Sequence, residues 1–158
     1  LKKAFKIVVN GTEDDVIEYI EKFKGQFKSL SAEEVSFPRS VKGLSKYQDS
    51  VTVYRKSTPL HVKGSLIYNM MLKKNKLTKK YPIIQEGEKI KYTYLKEPNP
   101  SGDSAIAMLT TLPKEFNLEE YIDYDRQFEK SFLDPMKGIL EKIGWDYEKK
   151  STIMDFFS

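Results

Sequence analysis

Three sets of residues in this 158-residue chain are of types that do chemistry, and only one is arranged to do it. Asp123-Tyr124-Asp125 has the spacing that, on a strand or hairpin turn, lets two carboxylates share a pair of divalent ions and activate a hydroxyl against a phosphoryl group. Here Tyr121, Ile122, Tyr124, Phe128 and Phe132 recur around it at helical spacing. Side chains two apart on a helix diverge, so both carboxylates are expected as solvated helix groups and not as metal ligands. His61 is the single histidine and has no Ser or Cys partner in a nucleophile motif. With no cysteine, no glycine-rich phosphate cradle and no metal-ligand spacing, the expected catalytic residues, metal sites and bound cofactors are none.

The third set binds. The net charge of +4 conceals a segregation: residues 1–38 carry −1, residues 39–96 carry +11 from fourteen Lys/Arg against Asp49, Glu86 and Glu88, and residues 97–158 carry −6. A block this one-sided repels itself and is stabilised by a polyanion, which makes nucleic acid the natural partner. Within it Arg39, Ser40, Lys42, Ser45, Lys46 and Tyr47 place cations and hydroxyls on a loop, and Gly43 lets backbone amides approach phosphate oxygens. His61, Lys63 and Gly64 stand at the start of a helix, where the positive end of the dipole favours an anion. Four to six neutralised phosphates correspond to a slope of log affinity against log salt of about −4 to −5. The block lacks the closely spaced aromatics of a single-stranded RNA platform.

The elements that must position these residues follow from local pattern. Thr12 with Asp15 starts a helix along which Val16, Ile20, Phe23, Phe27 and Leu30 form the apolar face, and Asn10-Gly11 closes a shorter helix before it. Phe37-Pro38-Arg39 requires extended backbone and leads into a loop. Thr58-Pro59 opens a second long helix with Val62, Leu66, Met70 and Leu72 on its buried side and His61 and Lys63 on the other. Lys89 to Leu95 alternates as a strand, Pro98 to Gly102 is a turn and Ala105 to Leu109 is a pairing strand. Leu118 to Phe132 and Pro135 to Ile143 predict two closing helices, with Trp145 plugging the core beneath them. The fold class expected is α+β, predominantly α-helical, with a small antiparallel β insert and one core. No apolar run approaches eighteen residues and no signal peptide is present, so no membrane partner is expected.

The last ten residues, 149–158, form a separate peptide. Ile153, Phe156 and Phe157 lie at i, i+3 and i+4, so a single helical turn gathers them, with Met154 beside them, as an anchor for a partner's groove. The competing reading is a tail folded back on its own core. The spacing resembles the sliding-clamp-binding peptide of replication proteins, with Lys150 where that motif carries glutamine.

Phe37-Pro38-Arg39, Lys46-Tyr47, Thr58 through Leu66, Gly87 through Lys91, Asn99-Pro100, Tyr121 through Tyr124, Phe128 through Phe132 and the tail together resemble the C-terminal thumb region of the family B replicative DNA polymerases of T-even-type bacteriophages. The resemblance covers essentially the whole chain. It implies a thumb-like helical domain over residues 1–148 that grips primer–template duplex DNA, followed by a clamp-binding peptide over 149–158. It also implies, as partners, the sliding clamp and the palm, fingers and exonuclease parts of the polymerase, whose motifs do not occur here. On this view the chain is a fragment or separately encoded subunit, not an enzyme alone; magnesium belongs to the complete polymerase, which works in the cytoplasm of the infected bacterial host. The alternative without the resemblance is an adaptor that binds the clamp and a protein partner without touching DNA.

Overall fold

Thr12 begins the first long helix through a complete capping box. Its hydroxyl accepts from the Asp15 N–H at 3.3 Å while the Asp15 carboxylate accepts from the Thr12 N–H at 2.9 Å. In the computed structural model, which describes residues 2–47 and 58–145, this helix is α2 (Glu13–Phe27), preceded by α1 (Lys2–Asn10). The described residues gather in two compact units, one of residues 2–29 with 128–145 and one of residues 30–127. The chain length alone suggested a single core. In the first unit, Phe23, Phe27, Phe128 and Phe132 make an aromatic cluster with ring centroids 5.0–6.1 Å apart, in tilted and edge-on geometries that aromatic quadrupoles favour. The closing helix of that unit, α6 (Asp134–Lys142), buries Met136 and Leu140, and Trp145 beyond it is half-buried instead of plugging the core.

The second unit is built on a three-stranded antiparallel sheet of β1 (Phe37–Ser40), β2 (Lys89–Tyr94) and β3 (Ala105–Met108), in that order. A short helix, α3 (Ala32–Val35), leads into β1 with Ser31 capping it through the Glu34 N–H. The long helix expected after Pro59 is α4 (Leu60–Lys74), which packs on β3 and β2. The buried Gln127 side chain ties two elements of the unit together, accepting from the Tyr94 N–H at 2.9 Å and donating to the Val35 carbonyl at 2.6 Å. The architecture is α+β and predominantly helical; β2 stands where the alternation placed it, and β3 where a pairing strand was expected.

The expected helix from Leu118 and the placing of its carboxylates also differ from the structure. No helix begins at Leu118: two 3₁₀ turns, Lys114–Phe116 and Glu119–Tyr121, come first, and α5 runs from Tyr124 to Phe128. The reason is tertiary. Leu95 bridges to Ile122, the Lys96 N–H donates to Tyr121 and the Asp123 N–H to Tyr94, so the end of β2 claims this backbone before it can wind. Asp123 is therefore not a helix carboxylate; it caps α5 by accepting from the Arg126 N–H at 3.1 Å, while Asp125 is exposed on the helix. After α5 the chain widens into a π-helical turn, Glu129–Leu133, just ahead of Pro135, whose missing N–H interrupts the α pattern.

Candidate nucleic-acid interface

Arg39 and Ser40 are neighbours in sequence but leave β1 on opposite faces of the sheet, because successive strand residues alternate. Arg39 lies opposite Ile90, on the face that meets the start of α4, and its charge acts on His61. The His61 ring is 6.4 Å from Tyr92, which lies opposite Phe37 with ring centroids 5.4 Å apart. Burial, with Arg39 adding to it, holds His61 below the usual imidazole range, so at neutral pH it offers a hydrogen bond and no positive charge. Ser40 faces the other way, directly across from the exposed Lys89.

Past β1 the chain turns through a loop whose apolar residues point in and whose polar residues point out. Val41 and Leu44 are buried; Lys42, Ser45 and Lys46 are exposed. Ser45–Tyr47 is a 3₁₀ turn that sets the Lys46 ammonium 5.4 Å from the half-buried Tyr47 ring. Gly43 has a φ of +93°, the left-handed region that glycine enters without strain. The sequence led to the expectation that Gly43 lets backbone amides of this loop approach phosphate; two of them, those of Gly43 and Leu44, are instead taken by the Glu86 carboxylate, at 2.6 and 2.9 Å.

Lys63 and Gly64 are placed differently from the sequence expectation. Lys63 is 6% exposed, and its ammonium is paired with the Asp103 carboxylate at 3.4 Å. Gly64 is buried where α4 comes nearest the sheet: a Cβ there would stand 2.9 Å from the Ala107 nitrogen and 3.0 Å from the Ile106 carbonyl carbon. Both residues therefore hold the helix to the sheet. Gly64→Ala is expected to cost about 1–3 kcal/mol, because the obstructing atoms are backbone and this exceeds the gain of about 1 kcal/mol in helix propensity. Urea unfolding of the two chains measures the difference.

Two cations absent from the sequence candidates belong with the remainder. Lys89 is brought to Ser40 by strand register, which the Lys89-Ile90-Lys91 alternation already hinted at. Lys73 lines a groove of about 280 Å³ with Leu44, Ser45, Leu66, Asn69 and Glu86, so it reaches the loop only through tertiary packing. Arg39 thus stands by the first turn of α4, and the loop stands by its last turns. His61 and Lys73 are twelve residues apart, about 18 Å at 1.5 Å per residue. Along a duplex axis that distance matches about five phosphates of one strand. Arg55 and Lys56, and the tail residues Ile153, Met154, Phe156 and Phe157, lie outside the described residues.

No protein-family model matches the chain. Among individual proteins, it is 30% identical over 157 residues, 97% of its length, to the DNA-directed DNA polymerase of Enterobacteria phage T4. It is 32% identical over 136 residues, 83% of its length, to the DNA-directed DNA polymerase of Escherichia phage RB69. The chain spans only 17% and 14% of the lengths of these two relatives. Over 83–97% of its length the chain is thus similar to one segment of the DNA-directed DNA polymerases of these two T-even-type bacteriophages.

Proposed function

We propose that the chain is the thumb part of a replicative DNA polymerase, holding primer–template duplex through its phosphates and tethering the enzyme to the sliding clamp through residues 149–158. The observation that carries this reading is the row of exposed cations and hydroxyls beside α4, formed by Arg39, Lys42, Ser45, Lys46 and Lys73 over the length of about five phosphates. His61 adds an uncharged hydrogen-bonding group at one end of the row, and Tyr47 lies under Lys46. Ser40 with Lys89 extends the basic surface around the edge of the sheet. Such contacts fix the register of a duplex without reading its bases, as an enzyme that must move over every template requires. In this reading polymerisation, proofreading and the magnesium ions belong to the palm, fingers and exonuclease parts, and the assembled enzyme works in the cytoplasm of the infected cell.

Titration of labelled primer–template at several salt concentrations tests the first half. The unaltered chain is expected to show a slope of about −4 to −5, and Arg39→Ala, Lys42→Ala and Lys46→Ala each to reduce its magnitude by about one, equally for all template sequences. Retention on duplex DNA that ignores salt, or no retention, favours the adaptor that binds the clamp and a protein partner instead.

A further inference from the structure

Glu86 is one of only three acidic residues among positions 39–96, and simple electrostatics makes it an opponent of polyanion binding. Its geometry says otherwise. Each of its carboxylate oxygens accepts a separate backbone N–H, Oε1 from Gly43 at 2.6 Å and Oε2 from Leu44 at 2.9 Å, across more than forty residues of sequence. Glu86 is itself fixed to α4 two residues upstream, where the Asn69 side chain accepts from the Ile84 N–H at 2.7 Å and donates to the Ile84 carbonyl at 2.9 Å. Two sets of hydrogen bonds, Asn69 to Ile84 and Glu86 to Gly43 and Leu44, joined by two residues of backbone, therefore link α4 to the turn that carries Lys42, Ser45 and Lys46. On the strand side, the Val41 N–H donates to the Glu88 carbonyl and the Gly87 N–H to the Val41 carbonyl. Between Val41 and the 3₁₀ turn at Ser45, the Glu86 carboxylate accepts the Gly43 and Leu44 N–H groups, while the carbonyls of these two residues accept from the Lys46 and Tyr47 N–H groups.

We propose that Glu86 is a positioning residue for nucleic-acid binding: its two-pronged grip on Gly43 and Leu44 holds the loop so that Lys42 and Lys46 face the phosphate row together. The inference rests on the DNA-holding reading above and adds to it a residue of the opposite charge. A carboxylate suits the role because it has two acceptor oxygens, where glutamine has one. The N–H bonds from Gly43 and Leu44 hold the Glu86 carboxyl below the usual carboxylate range, and nearby Lys42 pulls in the same direction, so the grip is ionised at neutral pH. Without it, each lysine must be ordered when DNA arrives, and that entropy is subtracted from affinity.

The test compares two neutralisations two residues apart in the 158-residue chain. Glu88→Gln removes the same charge but keeps its single acceptor bond from the Gln85 N–H, which an amide oxygen can accept. It is expected to raise affinity for a primer–template duplex by up to about threefold, as removal of a like-signed field predicts. Glu86→Gln is expected to lower affinity about five- to tenfold and to reduce the salt slope by about two, one unit for each lysine no longer held in place. Its Tm should stay unchanged while the Gly43 and Leu44 amides exchange faster. In the Glu86→Gln background, Lys46→Ala should then cost little, where in the unaltered chain it costs its full share. If Glu86→Gln tracks Glu88→Gln in affinity and slope, the positioning role is overturned and the DNA-holding reading stands. If the unaltered chain shows no salt-dependent binding, that reading fails and the positioning role fails with it.

Discussion

Lys63→Ala is expected to destabilise the fold by about 3 kcal/mol while leaving DNA affinity per folded molecule unchanged, since removing one partner of a buried pair leaves the other charge without compensation. The Lys63 and Asp103 side chains are 8% and 13% exposed, so water reaches neither well. The Asp103 carboxylate keeps one other set of bonds, to the Ser104 N–H at 2.6 Å and hydroxyl at 3.2 Å, which places the cost at the lower end of the range for broken buried pairs. Replacing the pair together, Lys63→Met with Asp103→Asn, should restore most of the loss, because the methionine refills the volume of the lysine stem and no isolated charge remains. Urea unfolding of both single variants and the double variant closes the cycle. Lys63→Glu is a poor probe of phosphate contact: it sets two carboxylates against each other in a buried site, and any loss of DNA binding then reports unfolding. A normally stable Lys63→Met chain with a reduced salt slope would return Lys63 to the phosphate row.

Deletion of residues 151–158 is expected to weaken binding to the sliding clamp by at least a hundredfold and to leave primer–template affinity nearly unaltered. Phe156 and Phe157 each contribute about 1.5–3 kcal/mol if their rings are fully buried in a partner's groove, so the two together account for about 3–6 kcal/mol. Lys149 and Lys150 remain in the truncated chain, and the only charged side chain removed is Asp155. The cations proposed to face DNA are thereby untouched. Phe156→Ala and Phe157→Ala singly should each lose about ten- to a hundredfold, with most of the change in the dissociation rate. Surface plasmon resonance against the immobilised clamp measures this; undiminished binding by the truncated chain removes the tail from the tethering role.

Local chemistry was legible wherever a few adjacent residues carry the whole signal. Thr12 and Asp15 cap α2 because the capping box needs only four residues, and the alternation in Lys89–Tyr94 is β2 itself. The exposed loop cations were legible for the same reason, since Lys42 lies between buried Val41 and Leu44 and Lys46 just beyond Leu44, and both turn outward. α4 shows where this fails. Its residues Val62 through Tyr68 are all buried, Lys63 included, so the helix has no clean polar face there for periodicity to report, while Met70, assigned to the buried side, is 38% exposed.

The charge segregation, the capped and alternating elements and the terminal aromatic spacing are properties of short stretches of chain, and the amino-acid order alone establishes them. Which cations are free and which are engaged depends on partners far away in sequence: Asp103 for Lys63, Glu86 for the Gly43 and Leu44 amides, Ala107 for Gly64. A lysine is the same residue in a string whether it meets water or a carboxylate. Packing of α4 against the sheet brings those partners within hydrogen-bonding and contact distance, and desolvation then makes each pairing count.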